Sequence, residues 1–283
     1  MLSNNEWRYI IMMFTFRRIG AHLFDAITPD GKLIAHITTD HSEPGCFDVK
    51  YVQPVDDEIE ENIHTDFNHF LDEPENTYGN RVDVYGSAKM NAETYCALII
   101  GYFRNLYKKE EADEKANRCI TWLESTDFFS APASTQYHDS CDGGLVQHSL
   151  TVYNKMVELL GIASFCEVDW RHALLTALVH DWCKIGLYER FMKNVKNEAT
   201  GAWEQVVAFR HAKTQIPLGH GTASMFMAER FFKLSTEQAL AIRWHMGVYQ
   251  VAETEKPDLF RSNESYPMVY LLQFADQLSI TTY

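Results

Sequence analysis

The chain has 283 residues and a mass of 32.7 kDa, which is enough for one large domain or two modest ones. Apolar residues make up 46% and charged residues 23% of the chain, a composition typical of globular proteins that excludes general disorder. The net charge of −14 argues against broad, non-specific binding to a nucleic-acid backbone, which depends on clustered Lys and Arg. It leaves open a small anionic substrate held through a metal ion.

Targeting and redox features indicate a soluble protein of the cytoplasm. No apolar run approaches the ~18 residues that cross a bilayer, and the run from Tyr9 to Phe16 is about half that length. Glu6 offsets Arg8 where a secretory signal would be basic, and no small-x-small cleavage site follows. The six cysteines contain no CxxC pair, so we expect reduced thiols and no disulfide framework.

The first third of the chain is predicted to form strands and turns. Two β-leaning runs, Ala21 to Thr28 and Leu33 to Thr39, flank the turn signal Pro29-Asp30-Gly31 and predict a hairpin. Further candidate strands are Phe47 to Val52 and Arg81 to Tyr85. We therefore expect a small β-rich or α+β domain over residues 1–90.

An acidic run lies within this region. Residues 56–75 carry nine Asp or Glu side chains and no Lys or Arg. Like charges repel one another and extend the chain. We therefore favour a solvated face or a loose loop here over an acidic docking site for a partner.

From about Met90 the apolar residues recur at helical spacing. Residues 91–107 place Tyr95, Leu98, Ile99, Tyr102 and Leu106 on one stripe. Later helices are predicted over residues 108–124, 145–160, 170–185, 222–232, 236–246 and 268–281, with helix-start signals at Ser235 and Pro267. The predicted fold class is mainly α, with a helical domain over residues 91–283 behind the smaller β-containing one.

Several polar residues fall on the apolar stripes of these helices and should point toward the core. They are His148, His180, Asp181, His220, His245 and Asp276. A single core-facing histidine is usually a hydrogen-bonded structural residue. Burying an ionised carboxylate without a partner costs many kcal/mol, however, and few basic residues lie on matching faces. A shared cation would satisfy all six side chains together.

The donor types limit which cation this is. Imidazole nitrogens with carboxylate oxygens suit Zn²⁺, Mn²⁺, Fe²⁺, Co²⁺ or Ni²⁺, whereas Mg²⁺ and Ca²⁺ prefer oxygen ligands alone. Because no thiolate is evident in the set, an open catalytic site is favoured over a closed structural zinc site. The predicted cofactor is one or two divalent ions, with Mn, Fe, Ni, Co, Zn and Mg as candidates.

The order of these residues, on successive helices, resembles the HD-domain superfamily of metal-dependent phosphohydrolases. The segment Gly143-Gly144-Leu145-Val146-Gln147-His148 looks like the family's helix with the first ligand, and LLTALVHDWCK, from Leu174 to Lys184, looks like its H-D-x-x-K helix. The resemblance covers roughly residues 127–280 and implies an HD-type helical fold. It says nothing about residues 1–90.

The resemblance also implies roles for the candidate residues. His148, His180, Asp181 and Asp276 would coordinate one metal, and His220 and His245 stand where two-metal members place ligands to a second. Residues 131–144 are similar to the branch that contains 3′ to 5′ exoribonucleases. That branch has paired histidines where this chain has His245-Met246, so either one histidine suffices or the second metal binds more weakly.

The implied chemistry is attack of a metal-activated hydroxide on a phosphoester or phosphoanhydride bond, with Asp181 as the bridging carboxylate. Lys184 lies one predicted turn after His180 and could stabilise phosphoryl charge, or could simply favour the helix C-terminal dipole. His138 could act as a general acid or support the pocket, although a surface loop position is the plainer alternative. Arg210, His211 and Lys213 form a basic loop cluster that could bind phosphate or be solvated.

Three functions remain in competition. The favoured one is a metal-dependent phosphohydrolase, and within it the net charge favours a nucleotide whereas the exonuclease-like residues favour an RNA or DNA 3′ end. The second is a non-catalytic nucleotide-binding module that regulates a partner. The third is an HD enzyme with a non-nucleotide substrate or a di-iron oxidation centre. The oligomeric state is left open.

Overall fold

A computed structural model shows a mainly α protein, as the sequence predicts. It describes residues 15–18, 23–28, 32–39, 47–52, 54–55, 57–72, 81–82, 84, 87–135, 139–161, 168–213 and 217–280. Within these ranges the chain forms nine α-helices and two small sheets. None of the described helices combines the length and the hydropathy that crossing a bilayer requires.

The N-terminal sheet is a four-stranded antiparallel meander. Its strands are β1 (Thr15–Arg18), β2 (Leu23–Ile27), β3 (Leu33–Thr39) and β4 (Phe47–Tyr51), paired in chain order. The β2–β3 pairing confirms the predicted hairpin, and its turn residues 29–31 lie outside the described residues. β4 confirms the strand predicted from residue 47.

The acidic run forms helix α1 (Asp57–Asp72), so the alternative of a loose loop is wrong. Ile63 and Phe67 recur at i, i+4 and are fully buried, and the Phe67 ring lies 5.1 Å from that of Phe24 on the sheet. Acidic side chains such as Glu60 and Glu61 stay exposed on the opposite side. Burial of this apolar stripe outweighs the repulsion among solvated carboxylates.

Residues 81, 82 and 84 are not in a strand, which corrects the prediction for residues 81–85 as far as the chain is described there. The amide of Asn154 instead brackets the Val82 backbone: Val82 N–H donates to Asn154 Oδ1 at 2.8 Å, and Asn154 Nδ2 donates to Val82 O at 2.7 Å. Val84 is buried in the helical core. A side-chain amide thus takes the place of a neighbouring strand.

The helical region comprises eight further helices. They are α2 (Ala88–Arg104), α3 (Lys109–Glu124), α4 (Gly144–Leu160), α5 (Trp170–Val179), α6 (His220–Ala228), α7 (Thr236–Trp244), α8 (Lys256–Ser265) and α9 (Pro267–Ile280). The core lies where α4 packs on α5 and α9 and where α7 packs on α9. The buried Trp182 Nε1–H donates to Tyr95 Oη at 2.9 Å, and that hydroxyl donates to the Leu178 carbonyl at 2.7 Å.

Two helix limits differ from prediction in a way that matters for the site. α5 ends at Val179, six residues earlier than expected, and a short 3₁₀ helix (Trp182–Lys184) follows. α6 begins at His220 itself, two residues earlier than expected. The predicted capping box is confirmed, because the Ser235 hydroxyl accepts from Gln238 N–H while the Gln238 side chain accepts from Ser235 N–H.

The second sheet is a hairpin of β5 (Tyr188–Lys196) and β6 (Trp203–His211), which the sequence pattern does not predict. Arg210 and His211 therefore lie at the end of a strand, which corrects their assignment to a loop. The pattern fails here because both strands are largely solvent-exposed, so they lack the apolar alternation that marks a half-buried strand.

Candidate metal centre

The fold brings all six candidate ligands together around one carboxylate, Asp181. His220 Nε2 lies 2.8 Å and His245 Nε2 3.5 Å from Asp181 Oδ1. His148 Nε2 lies 3.3 Å and His180 Nε2 3.4 Å from Asp181 Oδ2. His148 Nε2 is also 3.2 Å from Asp276 Oδ1, which closes the cluster.

The six ligands come from five helices or helix ends, and His180 and Asp181 share one of them. His148 lies on α4 and Asp276 on α9, whereas His180 and His245 directly follow the last residues of α5 and α7. All of these side chains and that of Asp181 are buried, and His220, on the first turn of α6, is half-buried. The site therefore exists only when five helices are packed together.

Two glycines permit the close packing that this requires. A Cβ on Gly221 would lie 2.1 Å from the Arg243 carbonyl oxygen, so α6 can lie against the end of α7 only with glycine there. This contact places the His220 and His245 rings 5.3 Å apart. Gly143 adopts a φ of 75° immediately before α4, a backbone conformation that favours glycine.

Backbone carbonyls orient two of the imidazoles. His180 Nδ1 donates to Ala177 O at 2.8 Å and His245 Nδ1 donates to Ile242 O at 2.7 Å, because a carbonyl can only accept. With Nδ1 as the donor, the Nε2 atom of each ring faces the cluster and, when it carries no proton, directs its lone pair there, as in histidines that bind metals. His245 Nε2 is buried without a hydrogen-bond partner among the described residues. Lone pairs facing carboxylate oxygens repel unless a positive charge lies between them.

The protonation equilibria show the same need for positive charge. Burial raises the pKa of Asp181, but the Lys184 ammonium and His180 outweigh burial and hold that pKa well below its usual range. Burial likewise raises the pKa of Asp276, while His148 and His180 bring it below the ordinary value. Two ionised carboxylates thus lie in the core beside one ammonium group.

The histidines respond to these carboxylates. Burial lowers the pKa of His148, but hydrogen bonds to Asp181 and Asp276 outweigh it and raise the pKa to about 9. The pKa of His245 is also raised, because Asp181 outweighs burial, whereas burial keeps the pKa of His220 below its ordinary value. The cluster therefore attracts positive charge from solution, either as protons or as a metal ion.

Three overlapping groups have their ligand atoms within 4.8 Å of one another: His148 with His180 and Asp181, His180 with His245 and Asp276, and Asp181 with Cys183 and His220. Imidazole and carboxylate donors at this spacing fit one or two divalent transition ions. Cys183 was not among the predicted ligands, although its place two residues after Asp181 could have suggested it. Burial raises the pKa of its thiol to about 12.

Lys184 lies inside the cluster. Its Nζ is 2.6 Å from Asp181 Oδ2 and its side chain is buried. The 3₁₀ helix, and not a continuing α-helix, places it there. Burial lowers the pKa of Lys184, but the Asp181 carboxylate outweighs burial and raises it, so the ammonium form is retained.

The other predicted residues have different outcomes. His138 lies outside the described residues. Arg210 pairs with Glu189 on the neighbouring strand at 2.7 Å, and Lys213 is exposed just beyond β6. A further histidine, His172, lies about 12 Å along α5 from His180 by helix geometry and lines a separate cavity of about 260 Å³ with Tyr102 and Phe232, so it does not contribute to the cluster.

Comparisons of this chain with protein-family models, curated proteins and solved structures found no match. The functional interpretation consequently rests on the residues and on the geometry of the cluster.

Proposed function

We propose that this protein is a metal-dependent phosphohydrolase with an HD-type helical domain, acting in the cytoplasm on a phosphoester or phosphoanhydride bond of a nucleotide or short nucleic acid. The observation that carries the proposal is the convergence of four imidazoles, two buried carboxylates and one ammonium group in the helical core. The resemblance of residues 127–280 to HD phosphohydrolases supplies the reaction class. The free thiols of Cys96, Cys119, Cys141 and Cys183 agree with a reducing compartment.

Asp181 is suited to hold two ligand sets at once. Its Oδ1 faces His220 and His245, while its Oδ2 faces His148 and His180. A carboxylate with one oxygen on each side can bridge two cations. Divalent ions bound there would supply a nucleophilic hydroxide at neutral pH and neutralise phosphoryl oxygens.

Lys184 is suited to bind the substrate phosphate. Its ammonium is held at the Asp181 carboxylate, inside the ligand cluster, and so is not committed to the C-terminal carbonyls of α5. Lys184 has three N–H groups, one of which donates to Asp181, so the other two can donate to a phosphoryl oxygen beside the ligands. The charge that accumulates on that oxygen in the transition state is then stabilised at a site already organised to receive it.

The proposal is tested by release of product from a panel of substrates. The metal-free protein is reconstituted with Mn²⁺, Fe²⁺, Ni²⁺, Co²⁺, Zn²⁺ or Mg²⁺ and assayed with mononucleotides, cyclic dinucleotides, oligonucleotides and the aryl diester bis(p-nitrophenyl) phosphate. We expect metal-dependent hydrolysis of at least one of them, and loss of it on addition of a chelator.

Two results would contradict the proposal. Tight nucleotide binding without turnover under every metal would assign the chain to the regulatory alternative. Firmly retained iron with consumption of oxygen and no phosphate or nucleotide release would assign it to oxidation chemistry. For the substitution Asp181→Asn, the matched control is Asp169→Asn. Asp169 caps the start of α5, at the far end of that helix from His180.

A further inference from the structure

The base of the β5–β6 hairpin lies close in sequence to the residues of the candidate metal centre. β5 starts four residues after Lys184, and β6 ends nine residues before His220. At its base the Tyr188 and His211 rings are 5.2 Å apart. Arg190 forms an ion pair with Asp142, which directly precedes the glycines where α4 begins. The face of the hairpin that bears these residues is therefore directed to the start of the helix with His148.

The two faces of the hairpin differ in charge. Cross-strand partners share a face, so the register defines a proximal face made of Tyr188, Arg190, Met192, Asn194, Lys196, Trp203, Gln205, Val207, Phe209 and His211. This face contains no acidic side chain. The opposite face carries Glu189 and Glu204 against Lys193 and Arg210, so its charges cancel.

The proximal face also exposes three apolar side chains to solvent, and one of them is aromatic. Trp203 is 71% exposed, Met192 55% and Val207 50%. Lys196, the cross-strand partner of Trp203, is exposed and makes no ion pair within the described part of the chain. A group of exposed apolar side chains on one face is typical of a surface that binds a partner or ligand.

Local charge distinguishes the hairpin from the rest of the chain. Residues 188–213 contain five Lys or Arg and three Glu, a net charge of +2, so the remaining residues carry −16. A polyanion approaching this acidic protein is therefore attracted to the element that leads to the metal centre. At ~3.3 Å per residue the nine-residue strands extend roughly 27 Å, a length that spans several nucleotides.

We propose that the proximal face binds single-stranded nucleic acid, RNA or DNA, with bases stacked on Trp203 and phosphates near Lys196, and with the strand end directed to the metal cluster. The last part of this proposal, that the strand end is directed to the metal cluster, rests on the proposed function. Exposed aromatic side chains beside cations are the features with which proteins hold single strands without reading sequence. In a two-fold dimer built on this face, the same positive side chains would meet one another, which favours a nucleic acid over a second copy as the occupant.

The test uses the metal-loaded full chain and a fluorescein-labelled phosphorothioate 12-mer, as oligo(dT) and as oligo(rU), with binding followed by anisotropy. Trp203→Ala and Lys196→Gln each change the proximal face, whereas Lys193→Gln changes the opposite face and is the matched control. We expect each proximal substitution to weaken binding by about 10-fold and the control by less than about 2-fold. Hydrolysis of bis(p-nitrophenyl) phosphate should be unchanged in all three variants.

The outcomes separate this inference from the proposed function. The inference alone is overturned if the protein hydrolyses the aryl diester but does not bind the oligonucleotide. It is also overturned if the aryl diester is hydrolysed and Lys193→Gln weakens oligonucleotide binding as much as Lys196→Gln does. Hairpin-dependent oligonucleotide binding without hydrolysis of any substrate supports the binding face and contradicts the proposed function. If Trp203→Ala converts a dimer to a monomer and leaves oligonucleotide binding intact, the face is a contact between copies and the inference is wrong.

Discussion

Two buried aspartates, one in the N-terminal sheet and one in the helical region, are each in contact with histidine, but in different ways. Asp25 on β2 lies opposite His36 on β3, and Asp25 Oδ1 is 2.8 Å from His36 Nδ1. The His36 side chain is 40% exposed, so its ring reaches water. Asp181 lies among four imidazoles and Lys184, and the rings of His148, His180 and His245 have almost no access to solvent.

The comparison shows when an Asp–His contact indicates a metal site. In the sheet a cross-strand donor and acceptor satisfy one another, and the solvent accommodates the rest of the imidazole. In the helical core the backbone carbonyls of Ala177 and Ile242 already take the Nδ1 protons, so lone pairs remain directed at carboxylate oxygens. A surplus of buried acceptors calls for a cation, whereas a matched pair does not.

The largest expected difference between the two aspartates is in catalysis. Asp181→Asn should lower turnover of the best substrate by about 10³-fold or more, because the carboxylate common to both ligand sets is lost. Asp25→Asn should leave turnover unchanged. Steady-state kinetics on both variants, with circular dichroism to confirm folding, makes the comparison. Equal turnover in wild type and folded Asp181→Asn would show that the cluster is not catalytic.

Metal binding should stabilise the protein through the ligand cluster around Asp181 and not through the Asp25–His36 pair. An ion present at about 100 times its Kd adds about 2.7 kcal/mol to the free energy of unfolding. For a chain of this size that corresponds to a rise in Tm of roughly 5–10 °C. Thermal scans with Mn²⁺ or Zn²⁺ and with a chelator should show this shift in wild type and in His36→Ala. A shift that survives in His245→Ala and His180→Ala would place the ion elsewhere.

Lys184 should affect the reaction and not the metal. Because its ammonium lies beside the ligands without being one, Lys184→Ala is expected to lower kcat by about 10-fold through lost stabilisation of phosphoryl charge. Metal content, measured by elemental analysis, should stay at the wild-type value. Loss of metal from this variant would instead assign Lys184 a structural role in holding Asp181.

The smallest effect is expected at the Asp25–His36 pair in the N-terminal sheet. His36→Ala removes a half-exposed partner of a buried carboxylate and should lower the free energy of unfolding by about 1 kcal/mol. Urea denaturation measures this change, and hydrolysis rates should not respond to it. A loss of turnover in this variant at temperatures where it is folded would mean that the sheet communicates with the metal centre.

Sequence periodicity predicted the helices well where one face is buried against several neighbours, as in α2, whose stripe of Tyr95, Leu98, Ile99 and Tyr102 is buried. It failed where the environment overrides local pattern. The β5–β6 strands are too exposed to show alternation of apolar and polar residues. The apolar stripe of α1 is buried only because it packs against the N-terminal sheet.

The six candidate ligands were evident as polar residues in apolar helical stripes, because burying an unpaired carboxylate is costly enough to make its position informative on its own. Their residue types also limited the cation that they could hold. The sequence could not determine distances between side chains that lie far apart along the chain. Only the tertiary structure set the two oxygens of Asp181 toward different histidines, ended α5 before Lys184 and directed one face of the hairpin to the start of α4, because each depends on contacts with elements distant in sequence.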